Sequence, residues 1–218
     1  MDEESVPTSD QTNPPRLSFG VVAAAEAGLV LVAILLYVLG VRNPHHPMLG
    51  TWTDGQWLAV LLWGIGGVVP IVLLLFALDR LPGKLFERMR RDTCDWVKSM
   101  FSHLSLFQMA IIALLAGICE ELLFRWVLQD GLAYRLGGDF GWLISWIAVS
   151  LLFGLAHFMN ATYFAVASVI GFWLGGLMIW SNTWWAPAIA HALYDFVALC
   201  YLTNRLPGFR RDTKSAPV

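Results

Sequence analysis

Seven ionisable side chains sit inside stretches that are otherwise apolar: Glu26, Glu120, Glu121, Arg125, His157, His191 and Asp195. Charge is costly in hydrocarbon unless it is paired or faces a wet cavity. Glu26 stands alone near the first third of its stretch. The other six fall in the last three-fifths of the chain and are best read together. In GICEELLFRW, residues 117–126, Glu121 and Arg125 are four apart. They share a helix face in the order that best forms an ion pair. Glu120 points about 100° away on a regular helix, with no cation at helical spacing. Its own face is Gly117, Ala116 and Ala113, small enough to admit another helix closely. The two carboxylates therefore separate in role: Glu121 held by Arg125, and Glu120 offered to a partner as a general base for water.

Two further pieces complete the set. FGLAH, residues 153–157, ends an apolar run with His157. HALYD, residues 191–195, places His191 and Asp195 on one helix face, so Asp195 is expected to fix the tautomer of His191. One free carboxylate, two histidines and an orienting carboxylate suit chemistry on a polarised water.

The elements that must position these residues are membrane helices. Of 218 residues, 57% are hydrophobic and 14% charged, against about 25% charged in soluble domains. Such a chain cannot cover its core with polar surface, which excludes a soluble enzyme, a disordered chain or a disulfide scaffold. A net charge of −2 offers no broad basic face, so no nucleic-acid partner is expected. The lipid bilayer is the expected environment. Six apolar runs are long enough to span it, at 17–40, 57–78, 105–128, 140–158, 163–180 and 184–202. Only helices satisfy the backbone over runs of this kind. Tryptophans at 52, 57, 142, 180, 184 and 185 lie near run ends, where interfacial anchors belong. The fold class is thus all-α and polytopic, with about six transmembrane helices and one amphipathic helix over 83–101, where Leu85, Phe86, Met89, Trp96, Val97, Met100 and Phe101 recur at helical spacing.

The chain divides into an acidic, disordered tail (1–16), two spans with the amphipathic connection (17–103), a core carrying the polar residues (104–202) and a basic C-terminal tail (203–218). With six spans, eleven Lys and Arg fall on one side: Arg16, six between Arg80 and Lys98, and four between Arg205 and Lys214. The other side has Arg42 and Arg135, besides Arg125 close to the third run. Both termini are therefore expected in the cytoplasm, in what reads as a prokaryotic cytoplasmic membrane. Gly171-x-x-x-Gly175 is a helix-packing motif, read here as packing within one monomer. Cys94, Cys119 and Cys200 read as small buried hydrophobes. His45-His46 lies in a Pro-flanked loop with no third metal ligand nearby in sequence.

The ordered set Glu120-Glu121-x-x-x-Arg125, Phe153-x-x-x-His157 and His191-x-x-x-Asp195 resembles the CPBP family of intramembrane proteases. That family includes the type II CaaX prenyl endopeptidases, Abi proteins and lysostaphin-resistance-protein-A-like proteins. The resemblance covers about residues 104–202, and WAPAIAHALYD (185–195) is the closest stretch. The last motif position is often Asn in the prenyl endopeptidases and is Asp195 here, which weakens the CaaX assignment more than the protease assignment. The resemblance implies peptide-bond hydrolysis in the membrane, on a peptide or membrane-protein substrate, with prenylated ones among the candidates. Glu120 would activate water, His157 would help hold it, and His191 and Asp195 would stabilise the oxyanion. Glu121, Arg125 and Phe153 would support the site. No cofactor is favoured; zinc on Glu120, His157 and His191 is the alternative, although no H-E-x-x-H helix is present. Two other readings stay open: a non-catalytic peptide-binding or immunity member of the same fold, and a small proton-coupled transporter.

Straight helices raise one difficulty. Counted from opposite sides of the membrane, Glu120 and His157 end up about 15 Å apart at 1.5 Å per residue. Convergence then requires either that the fourth run starts deeper or that the third is broken near Gly117.

Overall fold

The computed structural model describes residues 17–46 and 54–205. The N-terminal tail, Trp52 and the C-terminal tail beyond residue 205 lie outside the described residues, so the topology argument from Arg16, Arg210, Arg211 and Lys214 is untouched by it. Among the described residues every regular element is helical: α1 (Phe19–Val38), α2 (Asp54–Arg80), α3 (Lys84–Phe101), α4 (Leu106–Glu121), a π-helical segment (Leu122–Gln129), α5 (Asp130–Leu136), α6 (Gly138–Ala156), α7 (Ala161–Ser181) and α8 (Trp185–Leu202). Six helices are long and apolar enough to cross a membrane, with α4, the π segment and α5 forming one continuous rod of 31 residues. The protein is an all-α polytopic membrane protein.

Local chemistry sets the helix ends. Ser105 caps α4: its hydroxyl accepts from the Gln108 backbone N–H at 3.2 Å, and the Gln108 side chain accepts from the Ser105 N–H at 2.9 Å. This reciprocal box satisfies two orphan donors. Asn160 caps α7 by accepting from the Tyr163 N–H, and its amide donates to Asp92 of α3 at 3.2 Å. Arg90 of α3 donates to the carbonyls of Leu78 and Leu81 at the end of α2. The amphipathic α3 is thereby tied at both ends of its neighbours. Met89, Val97 and Phe101 turn inward, while Leu85 and Trp96 stay exposed.

The third span runs eight residues beyond its expected end at Leu128, through Leu136. Gln129 and Asp130 look like a stop in sequence, yet both are fully buried and bonded. Gln129 donates to the Gly175 carbonyl at 3.0 Å. Asp130 accepts from the Asn43 amide at 3.2 Å and meets His46 Nδ1 at 2.9 Å. Tertiary partners let the helix carry these groups, and it ends only at Gly137 and Gly138. Their φ values of +73° and +61° are open to glycine at little steric cost, and they reverse the chain directly into α6.

Small residues bring the bundle together where the spacing implied. A Cβ on Gly117 would lie 2.7 Å from the Ala188 carbonyl oxygen and from Ala192, so only glycine lets α4 and α8 touch there. Gly171 lies against Phe153 and Ser150 of α6, and Gly175 against Trp146 and Gln129; this motif packs within the monomer. All three cysteines are buried thiols. Trp184 departs from the anchor expectation. It is buried and stacks on Trp185 with ring centroids 4.1 Å apart.

Candidate active site

The long third span resolves the depth problem. Glu120 lies 17 residues before the turn at Gly137 and His157 lies 20 after it (137 − 120 and 157 − 137). Their levels along an antiparallel pair therefore differ by three residues, about 5 Å. The separation of about 15 Å expected from straight helices was wrong because the third run was taken to end at Leu128. The rod is not broken near Gly117 either. It loosens into the π segment immediately after Glu121, a form that recurs at functional sites. Glu120 Oε2 and His157 Nε2 stand 3.5 Å apart.

Glu121 and Glu120 take the separate roles that helix geometry implies. Glu121 is fully buried and accepts from Arg125 Nε at 2.7 Å. Its second oxygen is 2.9 Å from His191 Nδ1. Arg125 is held in turn by Gln129 at 3.5 Å and by the face of Phe153, 5.2 Å from the ring centroid. Here one expectation is corrected. Asp195 is not the group that fixes the His191 tautomer. Its oxygen is 3.5 Å from Nε2, whereas the acceptor-only carboxylate of Glu121 holds Nδ1. An ion-paired carboxylate accepts a proton bond and cannot give one, so Nδ1 is the protonated nitrogen and Nε2 faces Asp195.

His157 caps α6, and its Nδ1 donates to the Phe153 carbonyl at 2.9 Å. That bond turns Nε2 toward Glu120. The Phe153 ring stacks on His157 at 4.4 Å, meets His191 edge-on at 5.7 Å and packs against Phe124 at 5.1 Å. One aromatic ring thus sets the spacing of both histidines and the arginine.

Glu120 Oε2 meets His157 Nε2 only at ion-pair distance and, although buried, has no hydrogen-bond partner. Glu120 lines a cavity of about 230 Å³, shared by His157 and Asp195 and reaching α3 at Thr93 and Trp96. Glu26 and Tyr163 line the same space. Glu26 had looked isolated in sequence; its only signal was a carboxylate in an apolar run.

Among the described residues, no group of three His, Cys, Asp or Glu side chains converges as metal ligands. Nδ1 of each histidine is engaged, on Phe153 and on Glu121, which leaves the Nε2 atoms toward Glu120 and Asp195. The histidines of the His45-His46 loop have protein partners. His46 is joined to Asp130, its carbonyl accepts from Trp126 Nε1 at 3.2 Å, and His45 packs edge-on against Tyr134.

Residues 102–197 match the family described as type II CAAX prenyl endopeptidase Rce1-like. The match spans 96 of the 218 residues (102 to 197). The matched segment holds all three motifs, from the start of α4 to Asp195. The chain is also 28% identical over 195 residues to the uncharacterized protein YpbD of Bacillus subtilis, covering 88% of each. No solved structure matches it significantly. The match supports a CAAX-type intramembrane protease at the level of the family, and the six apolar helices support an integral membrane protein.

Proposed function

We propose that the chain hydrolyses a peptide bond with a water held in the cavity beside both Glu120 and His157, without a metal. The observation that carries this reading is the 3.5 Å gap between Glu120 Oε2 and His157 Nε2, on a cavity that Asp195 also lines. A water beside both atoms is within reach of each. Glu120 takes one proton from it as its oxygen bonds to the scissile carbonyl carbon, and the carbonyl π pair moves to oxygen. His191 and Asp195 would stabilise the developing oxyanion, Asp195 only in its protonated form, since a carboxylate has no proton to donate. His191 serves as donor when protonated at Nε2, its other nitrogen being fixed by the Glu121–Arg125 pair. The tetrahedral intermediate then re-forms its C=O bond and expels the amine, which takes the proton back from Glu120. Water and peptide are consumed; a carboxylic acid and an amine leave.

The substrate class we favour is a prenylated Cys-a-a-X peptide. The membrane-embedded cavity suits a substrate carrying its own lipid, and α3 forms its wall on the side that bears the basic residues. That side would be cytoplasmic. The test is release of the a-a-X tripeptide from a farnesylated peptide by the purified protein in proteoliposomes, with and without a zinc chelator. Release that survives the chelator supports the reading. Release abolished by the chelator and restored by zinc contradicts the metal-free mechanism, and no release from a farnesylated or bare peptide contradicts the activity.

A further inference from the structure

Three residues on three different helices line one cavity and each carries a buried side-chain oxygen without a hydrogen-bond partner: Glu120 Oε2 on α4, Glu26 Oε2 on α1 and Thr93 Oγ1 on α3. Glu120 belongs to the hydrolytic set described above. Glu26 and Thr93 belong to none of the three motifs, and residues 102–197 exclude both. We propose that Glu26 and Thr93 form a substrate-binding subsite, in which Glu26 accepts a backbone N–H of the peptide and the Thr93 hydroxyl donates to a backbone carbonyl. The inference rests on the peptidase reading of the same cavity.

Position argues for it. Val22 and Glu26, four apart on α1, both line the cavity, and Val22 packs against the apolar cluster formed by α3, α4 and α8. Arg90, Thr93 and Val97 line it from α3, at three- and four-residue spacing. The subsite therefore lies between α1 and α3, and Glu120 and His157 face the same space from α4 and the end of α6. Glu26, Glu120, His157 and Asp195 all line this space. Such a wall favours a ligand that brings donors.

Chemistry argues for it as well. A buried acceptor or hydroxyl without a partner costs stability. A Leu or Val in its place would pack the same wall without that cost. Polar groups retained against stability are expected where a ligand needs them. A peptide backbone supplies one donor and one acceptor per residue, the complement of a carboxylate and a hydroxyl.

The experiment sets stability against turnover in the full-length protein. Glu26→Leu and Thr93→Val are expected to unfold in detergent at temperatures about 2–4 °C higher. Each is expected to raise KM for the farnesylated Cys-a-a-X peptide about tenfold, with a smaller fall in kcat. Glu26→Gln, which keeps an accepting oxygen, is expected to recover most of the KM loss. A lower unfolding temperature for both variants would make the two residues structural and overturn the subsite. So would an unchanged KM. If the wild type cleaves nothing, the peptidase reading fails separately, and the subsite is judged by anisotropy of the dye-labelled peptide. Weaker binding to Glu26→Leu than to wild type then supports the subsite; equal binding, none included, overturns it.

Discussion

Two of the His–carboxylate contacts among the described residues, ten residues apart along the third span, are built in opposite ways. In one, His46 Nδ1 meets Asp130 Oδ2 at 2.9 Å, Asn43 occupies the other oxygen, and Asp130 is fully buried. Every acceptor there is used. In the other, His157 and Glu120 stop 3.5 Å apart, and an oxygen of Glu120 has no hydrogen-bond partner. The first pair fastens the α1–α2 loop onto the rod. The second borders a cavity. A satisfied buried network adds rigidity, whereas an unsatisfied one needs another reason to exist. His191 shows both conditions in one ring, closed at Nδ1 on Glu121 and open at Nε2 toward Asp195.

The largest effect should come from breaking a closed pair. Glu121→Gln leaves Arg125 buried without its counter-charge, and it should destabilise by about 3–5 kcal/mol. Thermal unfolding in detergent reads this. A Glu121→Gln protein as stable as wild type would erase the contrast between the two carboxylates. Gly117→Val sharpens it by moving the open half bodily. The added methyls meet the Ala188 carbonyl and Ala192, which should cost about 1–3 kcal/mol and shift Glu120 away from His191. Activity should then fall more steeply in this variant than in one equally destabilised elsewhere, measured by cleavage rate at matched folded fraction.

The smallest effect tests the closed loop pair by pH. The Asp130 hydrogen bond raises the His46 pKa above its ordinary value, against the opposing pull of burial. A group whose pKa is raised on folding gives stability that is complete below its unfolded value and lost as pH climbs through the folded one. Unfolding temperature should therefore decline as pH rises above about 6.5. Asp130→Asn should lower stability at acidic pH and flatten that decline. An identical slope in wild type and variant would show that His46 does not titrate against Asp130.

These contrasts were legible in the sequence to different degrees. The six spans were, because apolar runs of bilayer length leave the backbone no choice but helix. The Glu121–Arg125 pair and the small face of Glu120 were, because both follow from helical periodicity within ten residues. The convergence of Glu120 with His157 was legible only as a resemblance. Geometry argued against it, since Gln129 and Asp130 read as the end of a span until their partners, Gly175, Asn43 and His46, are seen. Those partners lie 46 to 87 residues away in the chain, beyond any local pattern. The Glu121–His191 bond escaped for the same reason. Asp195, at helical spacing from His191, looked like the natural partner, and a carboxylate 70 residues distant took the place. Glu26 and Thr93 carried almost no signal, since a cavity walled by side chains from many helices has no sequence period.

Glu120→Gln and Glu121→Gln, compared side by side, test the central claim most directly. Each variant would be assayed for cleavage of the farnesylated peptide and for thermal unfolding in the same detergent. Glu120→Gln should lose roughly 10²–10⁴-fold in rate while unfolding at or above the wild-type temperature, because the neutral isostere breaks no ion pair and is easier to bury. Glu121→Gln should unfold well below it. A Glu120→Gln protein that cleaves at the wild-type rate, or one that unfolds early while Glu121→Gln does not, would contradict the assignment of Glu120 as the open, water-activating carboxylate.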